Sequence, residues 1–138
     1  MADLNAVPAR KSPGESGEWG NLRAKHFTFA FAAAQIADIA LLGQLPAGSK
    51  VVDINMRNAA LGASTTVALG YRAANPASAL AAAPTAYLAA TSTAAAATTR
   101  GSFAPNKQTE DLYVIATVGG AAATGLIDVT VFYIFDGI

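Results

Sequence analysis

The chain has 138 residues, a formal net charge of zero from 9 basic and 9 acidic residues, and no cysteine. This length suits one domain, and the lack of cysteine excludes disulfides and thiolate-based zinc sites. Nucleic-acid-binding proteins usually carry a basic excess, whereas a net charge near zero lowers the electrostatic barrier to self-association. We therefore expect no nucleic-acid partner and favour a protein that sits in an assembly.

The first 24 residues are polar and rich in Pro, Gly and Ser, a composition typical of disordered chains. They contain no apolar core of a secretory signal, so we expect none. We predict an extended arm over residues 1–24 and a single domain over residues 25–138. Trp19 is the arm's one large aromatic side chain, and tryptophan is enriched at the dominant positions of interfaces. The predicted partner contacts on the arm are Pro8, Arg10, Lys11 and Trp19.

Two strands are predicted directly after the arm. Residues 25–31 (KHFTFAF) alternate strictly, which places Phe27, Phe29 and Phe31 on one face of a half-buried strand. Residues 35–45 (QIADIALLGQL) are predicted as a second strand. A short helix competes here, but the turn cluster LPAGSK that follows suits the end of a strand.

The third and fourth predicted strands follow that turn. Residues 50–56 (KVVDINM) alternate with the even-numbered side chains from Val52 to Met56 on one face. Residues 65–71 (TTVALGY) place their odd-numbered side chains on one face. Gly70 within this strand indicates a bulge or a close backbone approach.

An alanine-rich stretch without any charge separates Arg72 from Arg100. We reject a membrane span, because proline and many polar residues interrupt the stretch and alanine favours lipid weakly. A long helix is disfavoured by Pro84 and by the lack of a stripe of large apolar residues. We predict a loop with one or two helical turns over residues 76–89 and a short strand over residues 89–96.

The C-terminal part contains the densest strand patterns. Residues 111–118 (DLYVIATV) and 126–135 (LIDVTVFYIF) are predicted strands joined by the glycine-rich turn 119–125. The last strand is apolar on both faces near its end, so it is predicted to be central or covered on both sides. Short strands with turn signals and no βαβ alternation predict an all-β sandwich. With about eight strands, a jelly-roll-like arrangement is expected.

Few residues carry a pattern of catalysis or metal binding. His26 is the single histidine and has no HxH or HExxH spacing, so no metal site is predicted. Asp38, Asp53 and Asp128 lie in predicted strands, where aspartate is unfavourable. They fit either a glycosidase-type carboxylate pair or solvent-facing residues that protect strand edges, and we favour the latter. No phosphate-binding loop occurs, so neither catalytic residues nor a cofactor are predicted.

Several segments together resemble a known class of viral proteins. The turn and strand LPAGSKVVDI, the strand VALGY and the paired C-terminal strands resemble head decoration, or cement, proteins of tailed bacteriophages. The resemblance covers about residues 27–135. It implies a jelly-roll-like fold, binding to the outer surface of the capsid as a dimer or trimer, and no catalytic residues.

The function expected from this resemblance is stabilisation of a phage head. The partners would be the major capsid protein and further copies of the chain, with no membrane partner. The location would be the outer surface of the virion, after synthesis in the host cytoplasm. Bridging neighbouring capsomers would exploit multivalency. One alternative is a lectin-like module of a phage surface, tail or fibre, which would need an exposed patch of aromatic and carboxylate side chains. Another is a carbohydrate-active enzyme that uses the three aspartates.

Overall fold

Eight strands form the fold of residues 22–105 and 107–135, the part of the chain that the computed structural model describes. They are β1 (Leu22–Ala34), β2 (Ile39–Leu45), β3 (Ser49–Asn58), β4 (Thr66–Ala73), β5 (Ala83–Ser92), β6 (Ala97–Arg100), β7 (Leu112–Gly119) and β8 (Ala123–Phe135). The first sheet has the order β1-β8-β3-β6 and the second sheet the order β2-β7-β4-β5, and all pairs are antiparallel. This is a two-sheet jelly roll, so the predicted all-β sandwich of about eight strands is confirmed.

The core lies between the two sheets and is built from alternate residues of each strand. In β8 the side chains of Ile127, Val129 and Val131 are completely buried, and β8 lies between β1 and β3. The prediction that this strand is central is therefore confirmed. Each such side chain contributes about 1.5–3 kcal/mol when it is buried.

The aromatic alternation of β1 is confirmed. Phe31 is buried, Phe27 and Phe29 pack against the core, and the rings of Phe29 and Phe31 meet edge to face at 5.0 Å. The strand begins at Leu22, three residues before the predicted start of the domain. The rest of the predicted arm lies outside the described residues.

The beginning of the second predicted strand is wrong. Residues 35–38 form the turn between β1 and β2 instead. The carboxylate Oδ2 of Asp38 accepts a hydrogen bond from the backbone N–H of Gln35 at 2.8 Å, and the N–H of Asp38 donates to the carbonyl of Gln35 at 3.0 Å. Aspartate favours turns for this reason. Ile36 therefore lies at the tip of the turn, 61% exposed.

The predicted facing of β3 is wrong at Val52. A β-bulge interrupts the pairing with β8 between Val51 and Asp53, and the extra residue shifts the alternation by one. Val51 consequently shares the buried face with Ile54 and Met56, while Val52 is only half-buried. Alternation alone does not reveal such a bulge.

The helical turns predicted over residues 76–89 are wrong. Ala83–Ser92 is strand β5, which pairs with β4 and buries Tyr87 and Leu88. The predicted strand over residues 89–96 covers only the end of β5 and the turn that precedes β6. Pairing with the open edge of β4 outweighs the high helical propensity of alanine. No helix able to cross a membrane is found in the described ranges.

Tyr87 is part of an aromatic cluster with Tyr71 and Phe103, at ring distances of 5.8 and 5.1 Å. Its hydroxyl is buried and has no hydrogen-bond partner within residues 22–105 and 107–135. Burial raises the pKa of the Tyr87 phenol far above its ordinary value, and the neighbouring Tyr71 raises it further. The folded protein therefore keeps this proton at pH values at which the unfolded chain loses it.

We expect Tyr87→Phe to reduce the loss of stability at alkaline pH. Since the folded-state pKa is raised, the free energy of unfolding falls as the pH rises above about 10, where an unfolded tyrosine ionises. Phenylalanine has no phenol to ionise, so this part of the alkaline fall in stability is absent in the variant. Near pH 7 the variant should be as stable as the wild type or slightly more stable, because it buries no unpaired hydroxyl. Urea denaturation at pH 7 and pH 11 tests this, and an equal loss for both proteins would contradict it.

Candidate interaction surface

The four residues predicted as partner contacts, Pro8, Arg10, Lys11 and Trp19, all lie outside the described residues. Their role therefore stays a prediction. Within the described residues, the two outer sheet faces differ in their chemistry.

The single histidine belongs to a polar network on the outer face of the first sheet. His26 Nδ1 lies 3.1 Å from Thr130 Oγ1, and Thr28 Oγ1 donates a hydrogen bond of 2.9 Å to Asp128 Oδ1. His26 Nε2 lies 3.8 Å from the same carboxylate oxygen, and 59% of the His26 side chain is exposed. These are cross-strand contacts in solvent. In the part of the chain that the structure describes, no three His, Asp, Glu or Cys side chains are grouped to hold a metal.

The three aspartates considered from the sequence do not converge. Asp38 lies in the β1–β2 turn, whereas Asp53 and Asp128 share the outer face of the first sheet. Asp53 is paired with Arg100 at 3.0 Å. In the register of β3 and β8, Asp53 lies opposite Phe132, four residues along from Asp128, which corresponds to about 13 Å. Glycosidase carboxylates lie about 5–9.5 Å apart, so this arrangement does not form such a pair.

The two sheets differ strongly in charge. The strands of the second sheet contain a single charged residue, Arg72. The strands of the first sheet carry Arg23, Lys25, Lys50, Asp53, Arg57, Arg100 and Asp128. Arg23 and Lys25 lie opposite the buried Tyr133 and Val131, so they are on the inner side of the first sheet. The outer face of that sheet carries the ion pair of Asp53 with Arg100 and the hydrogen-bonded Asp128. The outer face of the second sheet is nearly free of charge.

The outer face of the second sheet is apolar. Ile39 and Leu41 on its edge strand β2 are 47% and 43% exposed. On the next two strands of this sheet, Ile115 of β7 and Ala68 of β4 are buried, although neither belongs to the core between the sheets. Ile36, at the neighbouring turn, is also exposed. Large apolar side chains are also exposed on strands of the first sheet, at Leu22, Leu126 and Phe135. The near absence of charge is therefore what distinguishes the outer face of the second sheet.

Two adjoining grooves flank the β4–β5 connection, residues 74–82. The first groove, of 590 Å³, is called the cationic groove, because Arg72 lies in it with its guanidinium carbon 5.8 Å from the centre of the Tyr113 ring. The second groove, of 650 Å³, is called the acidic groove, because it contains Glu110 and Asp111. Leu41 and Leu80 line the cationic groove, and Asn75 and Ser78 line both. The grooves thus offer opposite charges side by side.

This region combines an aromatic ring with carboxylates, the combination that a lectin-like module would need. The ring of Tyr113, however, is half-buried and has the Arg72 guanidinium over it. The Tyr113 ring therefore does not present the open face on which a sugar ring would stack. Asp111 already accepts a hydrogen bond of 2.8 Å from the backbone N–H of Ala47.

Sequence reasoning missed the second sheet's outer face and both grooves. A signal was present, since residues 27–49 carry one charge, Asp38, and the stretch from Arg72 to Arg100 carries none between its ends. Which of these residues point outward depends on the sheet order and on the bulges, and these follow from the tertiary structure.

No protein-family model matches this chain, and no curated protein matches it. Solved structures do match over nearly the whole length. A chain from the capsid asymmetric unit of cyanophage Pam1 is 23% identical with a TM-score of 0.70, and the match covers 98% of this chain and 99% of that chain. A chain from the capsid of Ralstonia phage GP4 is 21% identical with a TM-score of 0.68, covering 94% and 93%. A third, from the acid-stable capsid of Helicobacter pylori bacteriophage KHP30, is 18% identical with a TM-score of 0.62, covering 86% and 91%. The chain shares its fold with these proteins.

Proposed function

We propose that this protein is a structural, non-enzymatic component of a phage head. It acts as a cement protein on the outer surface of the capsid and bridges neighbouring capsomers. The observation that carries the proposal is the match with a chain of a phage capsid over 98% of this chain and 99% of the other. Its partners are the major capsid protein and further copies of the chain. The protein is synthesised in the host cytoplasm before it joins the head.

The nearly uncharged outer face of the second sheet supports a contact by burial of apolar surface. The four strands have 7, 8, 10 and 8 residues, so they cover roughly 19 by 27 Å, or about 510 Å². A stable interface needs about 800 Å² from each partner, so this face alone supports only a weak contact. Bridging two capsomers makes the second contact intramolecular and raises the overall affinity.

The N-terminal arm supplies the remaining contact area in this proposal. Its residues Pro8, Arg10, Lys11 and Trp19 combine two positive charges with one large aromatic side chain. Because these residues precede Leu22, where β1 begins, they can reach a neighbouring molecule on the shell.

Adding the purified protein to heads assembled without it tests the proposal. We expect the protein to co-sediment with these heads in saturable amounts and to raise the temperature at which they release their genome, because binding to the assembled shell stabilises it. Since the protein is added from outside, uptake also demonstrates an outer binding site. Heads that already contain the protein are the control and should take up none. No co-sedimentation, or uptake without a change in release temperature, would refute the cement function.

A further inference from the structure

We propose that residues 10–19 of one molecule dock in the two grooves of a second copy of the chain, so that neighbouring molecules are linked by their arms. The inference rests on the proposed function, because it is the head surface that brings copies side by side. It names the partner of the arm as another copy of this protein and the receiving site as the cationic and acidic grooves.

The order of charges along the arm matches the two grooves. Arg10 and Lys11 come first, and Glu15 and Glu18 follow, with Trp19 directly after them. The acidic groove contains Glu110 and Asp111, and the cationic groove contains Arg72. The two grooves share lining residues, so they are adjacent. The seven residue steps from Lys11 to Glu18 span up to about 23 Å, which is ample for neighbouring grooves.

The cationic groove also suits the indole ring of Trp19. Leu41 and Leu80 both line the groove, and 43% of Leu41 is exposed. The guanidinium of Arg72 already lies over an aromatic ring, and such a cation attracts a second ring in the same way. An aromatic side chain that fills this groove would cover the apolar surface that Leu41 exposes.

The length of the arm assigns it to a second copy. Trp19 is three residues before Leu22 and lies at most about 11 Å from it. Leu22 begins β1 in the first sheet, whereas the cationic groove is on the far side of the second sheet, which is about 10 Å away. Along the strands, the groove lies at the level of Gln44, which pairs with the groove residue Tyr113. Lys25 donates a hydrogen bond to the carbonyl of Gln44, so this level is that of Lys25, three residues after Leu22. Trp19 would have to turn back by three residues and also cross the second sheet, and three residues are too short for both.

Fluorescence of the full chain tests this directly, because Trp19 is its single tryptophan. Without any heads present, we expect the emission maximum to move to shorter wavelength as the protein concentration rises, in parallel with self-association measured by sedimentation velocity. Leu41→Glu should abolish this shift. Leu126→Glu is the matched control, because Leu126 is 49% exposed but lies on the outer face of the first sheet, and it should behave as the wild type.

A charge exchange tests the pairing of arm and groove. Arg72→Glu should weaken self-association by about tenfold, the effect of losing one charge pair together with its contact to the indole. Combining it with Glu18→Arg should restore most of the affinity. Trp19→Ala should weaken self-association by at least tenfold, as expected for a central aromatic contact.

Three results would overturn the inference. The first is an emission maximum of solvent-exposed Trp19 at all protein concentrations. The second is an emission maximum of buried Trp19 that does not change with concentration. The third is an equal effect of Leu41→Glu and Leu126→Glu on the shift. Because no heads are used, these results leave the proposed function standing. Conversely, arm-dependent self-association by a protein that never binds heads would refute the proposed function alone.

Discussion

Replacing Gly70 with alanine is expected to destabilise the domain by about 3 kcal/mol, the upper part of the range for overpacking. A Cβ atom at this position would lie 2.0 Å from the carbonyl oxygen of Ala83 and 2.4 Å from the carbonyl carbon of Pro84. Both obstacles are backbone atoms of β5, so they cannot move away without breaking the pairing with β4. At an unstrained site the same change would stabilise by about 0.4–1 kcal/mol, so the sign of the effect is diagnostic.

Gly119→Ala is the matched control for this experiment. There the nearest atom to an added Cβ is the side-chain oxygen of Thr66, at 2.7 Å, and a hydroxyl can rotate away. We expect a much smaller cost than for Gly70→Ala. Chemical denaturation of both variants measures the difference. Equal stabilities would show that β5 does not cross closely over Gly70.

Ile127→Ala is expected to cost about 3–4 kcal/mol, within the range for truncating a fully buried isoleucine. Ile127 is completely buried in the central strand β8, and the core around it comes from both sheets, so the cavity cannot close by a local shift. The loss should appear as a lower denaturation midpoint with an unchanged dependence on denaturant.

Its neighbour Leu126 supplies the control. Leu126→Ala removes nearly the same volume from the opposite face of β8, where 49% of the side chain is exposed, and such a change usually costs less than about 0.5–1 kcal/mol. Similar losses for both variants would contradict the assignment of the two faces of β8.

The strands that were predicted correctly share one property, a strong local pattern. β1 and β8 alternate with aromatic and β-branched residues, and β4 and β7 are dense in such residues. For Gly70 the sequence predicts a bulge or a close backbone approach, and the structure has both. The pairing of β4 with β5 is irregular between Leu69 and Tyr71, and the backbone of β5 lies directly against Gly70.

The errors occurred where a contact distant in sequence decides the local conformation. Val52 turns away from the core because a bulge adjusts β3 to its partner β8. The segment around Pro84 forms a strand because β4 presents an open edge, and the pairing is irregular between Leu69 and Tyr71, next to the segment that contains the proline. Neither partner strand is visible from the local residues, so a helix and a regular alternation were reasonable expectations.

The sequence by itself determined that the chain forms one β-sandwich, because period-two patterns and turn residues act over a few neighbouring positions. It also determined that the strands of the second sheet carry almost no charge, since this is a matter of composition. Only the tertiary structure decided which of their side chains are exposed, and on which face of the sheet. Strand order and bulges place Ile39 and Leu41 on an outer face, and the fold of the β4–β5 connection sets Arg72 and Glu110 in adjoining grooves. These neighbours are far apart along the chain, so their meeting depends on long-range pairing that no local pattern encodes.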